Sequence, residues 1–135
     1  MARNTKGGMP SIVHASCDGS YTLGIQDSQC QGAFVVLTGT ADAIPFPGNI
    51  AVNSAGVNAM TLNQPVAGPQ PTGDDGKSIF VLAQNAAIHT ITTATNGIIG
   101  SKHLATWTAA IGNCIELRAF NGVWVPVMST GVAVT

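Results

Sequence analysis

The stretch that decides the fold is residues 113–128, which has the sequence NCIELRAFNGVWVPVM. Two strand-like runs flank Asn121-Gly122, a dipeptide that favours a two-residue hairpin because both turn positions need a positive φ. The turn predicts a register in which Phe120 faces Val123, Ala119 faces Trp124, Leu117 faces Pro126 and Ile115 faces Met128. Large Trp124 then lies opposite small Ala119, which indicates a packed apolar face.

The two faces of this predicted hairpin differ in polarity. One face is apolar throughout and carries Ile115, Leu117, Ala119, Trp124, Pro126 and Met128, whereas the other is mixed and carries Glu116, Arg118, Phe120, Val123, Val125 and Val127. Pro126 falls in a pair that exchanges no hydrogen bonds within the hairpin, so its missing N–H costs the hairpin nothing. The cost falls on the other side of the strand, which predicts an edge or a bulge there.

The sequence upstream predicts more strands separated by turns. Residues 33–38 form a continuous apolar run, which predicts a strand buried on both faces, and residues 78–83 are predicted to form the second strongly apolar strand. Shorter strands are predicted at residues 50–53, 58–63, 86–93, 98–99 and 103–108, with loops at 42–49 and 64–75 where proline and glycine concentrate. No helix longer than about a turn is predicted. The spacing favours an all-β fold, a single compact β-sandwich or barrel-like (jelly-roll-like) domain over residues 32–135.

Residues 1–31 differ from the rest of the chain. They are rich in Gly, Ser, Gln and Cys with weak hydrophobic periodicity, and we expect an N-terminal arm whose order comes from a partner. The alternative places short strands at 11–15 and 21–25 in the same β core. The basic residues Arg3 and Lys6 are not followed by an apolar core, so we expect no secretory signal and no export by that route.

Charge is scarce in this chain. Five Lys and Arg and six Asp and Glu make 8% of the residues, against about 25% in typical globular proteins. The formal net charge is −1 without a basic cluster, which argues against nucleic-acid binding. No apolar run approaches the roughly 20 residues that span a bilayer, so no membrane partner is expected. A weakly charged surface favours burial against copies of the chain or a larger partner, although a neutral Thr/Asn-rich β surface is the alternative.

The cysteines and histidines do not form a recognisable site. Cys17 and Cys30 could close a loop or remain thiols, and the sequence leaves both open. Cys114 falls in the first hairpin strand, where a small buried hydrophobic role is typical. His14 and Cys17 have an H-x-x-C spacing but lack a fourth ligand, so we expect no metal site.

The remaining polar candidates have ordinary structural explanations. Asp74 and Asp75 precede Gly76 and Lys77, and this pattern predicts a solvated turn rather than a metal or acid–base site. Lys77 lacks the spacing of a phosphate-binding loop. The predicted role of His89 is a hydrogen-bonded strand residue rather than a catalytic base, and His103 shares no metal or triad spacing with it.

Charged and aromatic side chains are also expected to be structural. Glu116 and Arg118 share a strand face and should pair, a contact worth less than about 1 kcal/mol if exposed. Trp107, Trp124 and Tyr21 could make a sugar-stacking platform, but packing roles are favoured for both tryptophans. No nucleophile elbow or protease frame occurs. We therefore predict no catalytic, cofactor-binding or metal-binding residues and no enzyme activity.

Several short motifs resemble those of a known protein class. They are LTGTADAI at 37–44, NAMTL at 58–62, DDGK at 74–77, HTITT at 89–93 and LRAFNGVW at 117–124. Their order resembles small β-rich structural proteins of tailed bacteriophages, namely head decoration (cement) proteins, head fibres and related fibre modules. The resemblance covers about residues 33–127, and residues 1–32 match nothing in it.

The resemblance implies a non-enzymatic virion protein without cofactors, commonly a homotrimer. A decoration protein would bind the major capsid protein on the outer surface of the capsid, after assembly in the host cytoplasm. The alternative is a tail-fibre or receptor- and carbohydrate-binding module. Such a module would need exposed aromatic residues in the loops at 64–73 and 95–102, and these loops contain none.

Overall fold

The computed structural model describes residues 33–135 of the chain, and this range consists of strands, turns and loops without a helix. There are nine strands: β1 Phe34–Leu37, β2 Gly48–Val52, β3 Ala59–Thr61, β4 Ser78–Ala83, β5 Thr90–Thr92, β6 Leu104–Trp107, β7 Cys114–Phe120, β8 Val123–Thr130 and β9 Val132–Val134. The all-β prediction is confirmed for this part of the chain. The predicted arm at 1–31 lies outside the described residues.

The strands form two mixed sheets. The first has the order β1-β2-β4-β7-β8 and the second has the order β3-β5-β6-β9. Strands β1, β2 and β4 run parallel to one another, as do β3 and β5, and the other neighbours are antiparallel. Neither sheet closes on itself within the described range, so the barrel alternative is wrong there. The parallel pairs also differ from a jelly roll, whose sheets are antiparallel.

The parallel pairs arise because the chain winds back and forth between the sheets. After β1 the chain crosses to the second sheet, where Ile44 N–H donates to the Thr61 carbonyl at 2.9 Å and Thr61 N–H donates to the Asp42 carbonyl at 3.0 Å. It then returns as β2, crosses again as β3, and continues through β4 and β5. A parallel neighbour needs a crossover connection, and here strand segments of the opposite sheet supply it. Residues 34–92 therefore wind in turns that alternate between the two sheets. The antiparallel strands β6 to β9 follow them in the chain.

The predicted hairpin is present as β7 and β8. Asn121 and Gly122 form its tip with φ of 50° and 81°, and the predicted pairs at Phe120, Ala119 and Leu117 are confirmed. The fourth predicted pair is wrong, because Met128 faces Glu116 while Ile115 faces Ser129.

A β-bulge explains this shift. On β7 the residues Glu116 and Leu117 are adjacent, but their partners on β8 are Met128 and Pro126. The extra residue of the bulge is therefore Val127 on β8. Strand β8 is also at the edge of its sheet, which is one of the two features that the missing N–H of Pro126 predicted for the side away from β7. The bulge lies on the β7 side and was not predicted there. A bulge exchanges the faces of the residues beyond it, and Met128 therefore leaves the apolar face predicted for it.

One hydrophobic core draws on the inner faces of both sheets. Its fully buried members include Ile50, Val52, Ile79, Val81, Ile115, Leu117 and Trp124 from the first sheet and Met60, Ile91, Ala105 and Trp107 from the second. Strand β4 lies between β2 and β7 and supplies alternate side chains to the core, because successive side chains of a strand point to opposite faces. The prediction that Trp124 is buried beside Ala119 is confirmed, with 0% and 1% of these residues exposed.

Strand β1 differs from its prediction. Residues 33–38 were expected to form a strand buried on both faces, but β1 is an edge strand on which Phe34, Val35 and Val36 are about half exposed. An apolar run indicates that a strand will be covered, but it does not say whether its own chain covers it. Strand β9 was not predicted, because three residues provide too little periodicity. No helix among the described residues is long and apolar enough to cross a membrane.

Candidate interaction surface

A buried polar cluster surrounds His89, just before β5. Its Nδ1 accepts a hydrogen bond from Asn58 N–H at 3.1 Å, and its Nε2 lies 3.0 Å from Asn85 Oδ1. A backbone N–H can only donate, so the ring is neutral with its proton on Nε2. Burial lowers the pKa of His89 below its usual 6.5 because the charged form loses hydration. The predicted hydrogen bonding of His89 is confirmed, but the residue lies just before β5 and not within a strand as predicted.

Through Asn58 the same cluster connects the loops between the first strands. Its side-chain amide donates to Asp42 Oδ2 at 2.8 Å and to Ser54 Oγ at 3.1 Å, and Asp42 also accepts from Gly39 N–H at 2.8 Å. Ser54 and Asn58 are buried, and the Nδ1 lone pair of His89 is already used. Ser54 is therefore not a reachable nucleophile with a free base, and the cluster holds loops together.

The Asp74-Asp75 turn is more engaged than the sequence predicts. Asp74 accepts from Val66 N–H at 2.7 Å and pairs with Lys77 Nζ at 2.9 Å. The hydrogen bond from Val66, followed by the bond to Lys77, lowers the pKa of Asp74 below its usual 3.8. The turn itself is confirmed, but this carboxylate fastens the loop at 64–75 instead of remaining only solvated.

A second set of bonds fastens this loop to the tip of the β7–β8 hairpin. Asp75 Oδ1 accepts from Asn121 N–H at 2.7 Å. Gln64 Nε2 donates to the carbonyls of Gly122 at 3.0 Å and Gly97 at 3.3 Å. Both carboxylates of the pair thus act as hydrogen-bond acceptors for the backbone, which holds a long proline-rich loop in one conformation.

Both tryptophans have packing roles, as predicted. Trp124 Nε1 donates to the Asn63 carbonyl at 2.9 Å, and its ring meets Phe46 edge to face at a centroid distance of 5.1 Å. Trp107 is 1% exposed and its Nε1 donates to the Asn113 carbonyl at 3.1 Å. Neither ring is available for stacking on a sugar.

The other candidate residues are dispersed over the fold. Within residues 33–135 no three His, Cys, Asp or Glu side chains come together as a metal site. Cys114 is buried with its Sγ 3.9 Å from Met128 Sδ, as its hydrophobic role predicts. His14, Cys17, Tyr21 and Cys30, with the predicted choice between a Cys17–Cys30 bond and free thiols, lie outside the described residues.

The outer face of the five-stranded sheet exposes several apolar side chains. We use "outer face" for the side chains that alternate with the core residues on β1, β2, β4, β7 and β8. Pairing places two rows of side chains on this face. Phe34, Asn49, Phe80, Glu116 and Met128 form one row, and Val36, Ala51, Leu82, Cys114 and Thr130 form the other, in which Ala51 and Cys114 are buried. The exposed apolar side chains among them are Phe34, Val36 and Met128, and exposed apolar patches are typical of contact surfaces.

The charge on this face is confined to one pair. Arg118 donates to Glu116 at 3.1 Å, which confirms the predicted pairing. Beyond the pair, an open groove of about 500 Å³ is lined by Gly76, Ile99, Arg118, Ala119, Phe120, Val125 and Val127. Apart from Arg118 its lining is without charge, so the groove is suited to apolar contact.

Comparison with family models and with curated proteins finds no match for this chain. The candidate interaction surface is therefore identified from strand pairing and side-chain exposure alone. Sequence reasoning missed two of its members, Met128 and the exposed side chains of β1. Met128 was missed because the bulge in the β7–β8 pairing exchanges the faces beyond it, and no such bulge was predicted within the hairpin.

Proposed function

We propose that this protein is a non-enzymatic structural component of a bacteriophage virion, a decoration (cement) protein that binds the outer surface of the head. The observation that carries the proposal is the apolar outer face, on which Phe34, Val36 and Met128 are between 41% and 52% exposed. Burying such a face against an assembly is favourable at about 25 cal/mol per Å². The order of the short motifs, which resembles phage decoration proteins, supports the same proposal.

Low charge suits this role physically. Each charged group that enters an interface must lose hydration, and this loss offsets much of the attraction gained. A surface whose outer face carries one neighbouring ion pair, Glu116 with Arg118, keeps this cost small. Repetition by symmetry then makes individually weak contacts effective on a shell.

The proposal includes the finer architecture and assembly. The two sheets form a β-sandwich around the shared core, and three chains form a homotrimer that contacts the major capsid protein. Residues 1–31 act as the contact arm toward the shell or a neighbouring chain, because a segment with little apolar content gains order from its partner. No cofactor or metal takes part in this function.

Fractionation of virions of the encoding phage tests this function. DNA-filled heads and tails are separated and each fraction is probed for the protein. We expect the protein on heads, in numbers that follow the symmetry of the shell. Recovery on tails alone would instead support a fibre or receptor-binding module, and recovery only in the free lysate would contradict a virion role.

Deletion of residues 1–10 tests the arm. The truncated protein should fold, with an unchanged β-rich circular dichroism spectrum. It should no longer bind phage heads from which the full-length protein is absent. The full chain is the control in the same binding assay. If the truncated protein binds as well as the full chain, these residues are dispensable and the arm proposal is wrong.

A further inference from the structure

The buried side chain of His89 lies where three connections between the sheets meet. Residues 38–42, 53–58 and 84–89 follow β1, β2 and β4, and each segment leads from the first sheet to the second. Because β1, β2 and β4 run parallel, the chain leaves all three at the same end of the sheet. We call these three segments the crossover loops.

Asn58 joins the crossover loops through both its backbone and its side chain. Its carbonyl accepts a hydrogen bond from Thr90 N–H at 3.1 Å, and its side-chain Oδ1 accepts one from Asp42 N–H at 3.1 Å. The amide of the next residue, Ala59, donates to the Thr40 carbonyl at 2.8 Å. Residues 58 and 59 therefore connect the first loop to the start of β5.

The ring of His89 completes this arrangement only in its neutral form. Nδ1 accepts from Asn58 N–H, and Nε2 donates to Asn85 Oδ1, while Asn85 Nδ2 donates to the Gly56 carbonyl at 3.4 Å. A proton added to Nδ1 would point at Asn58 N–H, so two donors would face each other across 3.1 Å. Because His89 is 0% exposed, water cannot hydrate the added charge while the loops stay in place.

The surroundings of the ring provide little compensation for a positive charge. Residues 53–58 and 84–88 and strands β5 and β6, which bond to His89 or to its neighbours, contain no Asp, Glu, Lys, Arg or second His. Within residues 33–135, the carboxylate connected most directly to the ring is that of Asp42, and this connection runs through Asn58. Burial accordingly lowers the pKa of His89.

We propose that His89 is an acid-sensitive latch, which keeps the crossover loops together while the ring is neutral and separates them when Nδ1 takes up a proton from solvent. The sheets remain paired during this opening, because their strand pairs do not include the ring, and loops open at a lower free energy than the whole fold. The latch is closed above pH 6.5 and opens as the pH falls through the lower folded pKa of His89. This inference is independent of the proposed virion function.

Amide hydrogen exchange of the full chain, followed by NMR from about pH 7 down to the start of acid unfolding, tests the latch. Protection is expressed relative to the unfolded chain, which removes the intrinsic pH dependence of exchange. The reporter amides are those of Asn58, Ala59 and Thr90, whose hydrogen bonds hold the crossover loops. Their protection should fall by up to about tenfold for each pH unit below the folded pKa of His89.

Two amides at the opposite end of the strands serve as references. Ala119 N–H donates to the Lys77 carbonyl at 2.8 Å near the hairpin tip, and Leu104 N–H donates to the Thr135 carbonyl at 3.0 Å at the start of β6. One reference lies in each sheet, and both should keep their protection while the reporter amides lose theirs. Equal losses at reporters and references would show that acid unfolds the whole chain, which would overturn the latch.

His89→Gln removes the titrating ring, and His103→Gln is the matched control because His103 is exposed. Reporter protection should not depend on pH in His89→Gln and should respond as in the wild type in His103→Gln. If His89→Gln does not fold, the wild type alone decides, since the NMR midpoint of the His89 ring should coincide with the loss of reporter protection. A pH response that remains in folded His89→Gln, a midpoint that differs from the loss, or reporter protection that persists until acid unfolding each contradicts the inference.

Discussion

The turn at Asn121 and Gly122 holds both residues at positive φ, 50° and 81°. A Cβ built on Gly122 would meet Ala67 Cβ at 3.5 Å, which is ordinary contact, so there is room for a side chain. The requirement for glycine therefore comes from the backbone conformation and not from crowding. L-residues with a Cβ pay roughly 1–2 kcal/mol in this region of φ and ψ.

Gly122→Val should lower the free energy of unfolding by about 1 kcal/mol or more for this reason. Gly56→Val is the matched control, because Gly56 has no positive φ and no atom within 4 Å of the added Cβ. Urea unfolding of both variants measures the difference. Equal losses in the two variants would contradict an effect specific to the turn.

His89 illustrates how a buried neutral histidine links stability to pH. Its Nδ1 accepts from Asn58 N–H, so a proton added there would face a donor. The pKa of His89 is therefore below 6.5 in the folded protein, while the unfolded chain takes up the proton near pH 6.5. Between the two values the unfolded state binds more protons, and stability rises with pH.

We expect the contribution of His89 to be complete above pH 6.5 and to be lost as the pH falls through its lower folded pKa. One proton limits the slope to about 1.4 kcal/mol per pH unit. Unfolding measured across this range should lose that slope in His89→Gln and retain it in the exposed-site control His103→Gln. An NMR titration of the His89 ring with a midpoint at or above 6.5 would contradict the mechanism.

At the scale of elements, the hairpin shows how far sequence alone reaches. The dipeptide Asn121-Gly122 determines the nearest pairs, because a two-residue turn allows one register. Beyond Pro126 the register depends on the bulge, which was not predicted on the β7 side of the strand. The turn residues therefore predict the pairing register next to the turn, but they do not predict it six residues away, at Met128.

Strand β1 shows a different limit of sequence reasoning. Its apolar sequence resembles that of β4, and both segments were predicted to be strongly apolar strands. Strand β4 is central because β2 and β7 pair with it, and these partners are 26 or more residues away in the chain. A strand's position in its sheet depends on such distant partners, which hydrophobic periodicity does not report. The candidate surface could not be located for the same reason.

The loop at 64–75 depends on a bond between distant elements. Asp75 Oδ1 accepts from Asn121 N–H at 2.7 Å, so Asp75→Ala should destabilise the protein by about 1 kcal/mol and expose the Asn121 amide to faster hydrogen exchange. Glu116→Ala is the control, since its pair with exposed Arg118 should change stability by no more than about 0.5 kcal/mol. An unchanged exchange rate at Asn121 in the Asp75 variant would show that this bond does not hold the hairpin tip.

At the scale of the whole molecule, the scarcity of charge predicts how assembly responds to salt. Exposed ion pairs are screened within about 10 Å at 0.1 M salt, whereas apolar contacts are not weakened by screening. We therefore expect the same assembled mass from about 0.05 M to 0.5 M sodium chloride by light scattering. Dissociation as salt is raised would show that charges such as Glu116 and Arg118 hold the interface.

The order of the strands in the two sheets also determines when the protein can fold during translation. Strands β1, β2 and β3 leave the ribosome first, but β4 pairs with β7, and Trp124 of β8 completes the core. Contacts between such distant residues form late, because closing long loops is entropically costly. A nascent chain arrested after residue 112 lacks the whole β7–β8 hairpin. We expect it to have no formed core, so the apolar first half must remain shielded from aggregation until the last quarter of the chain is made.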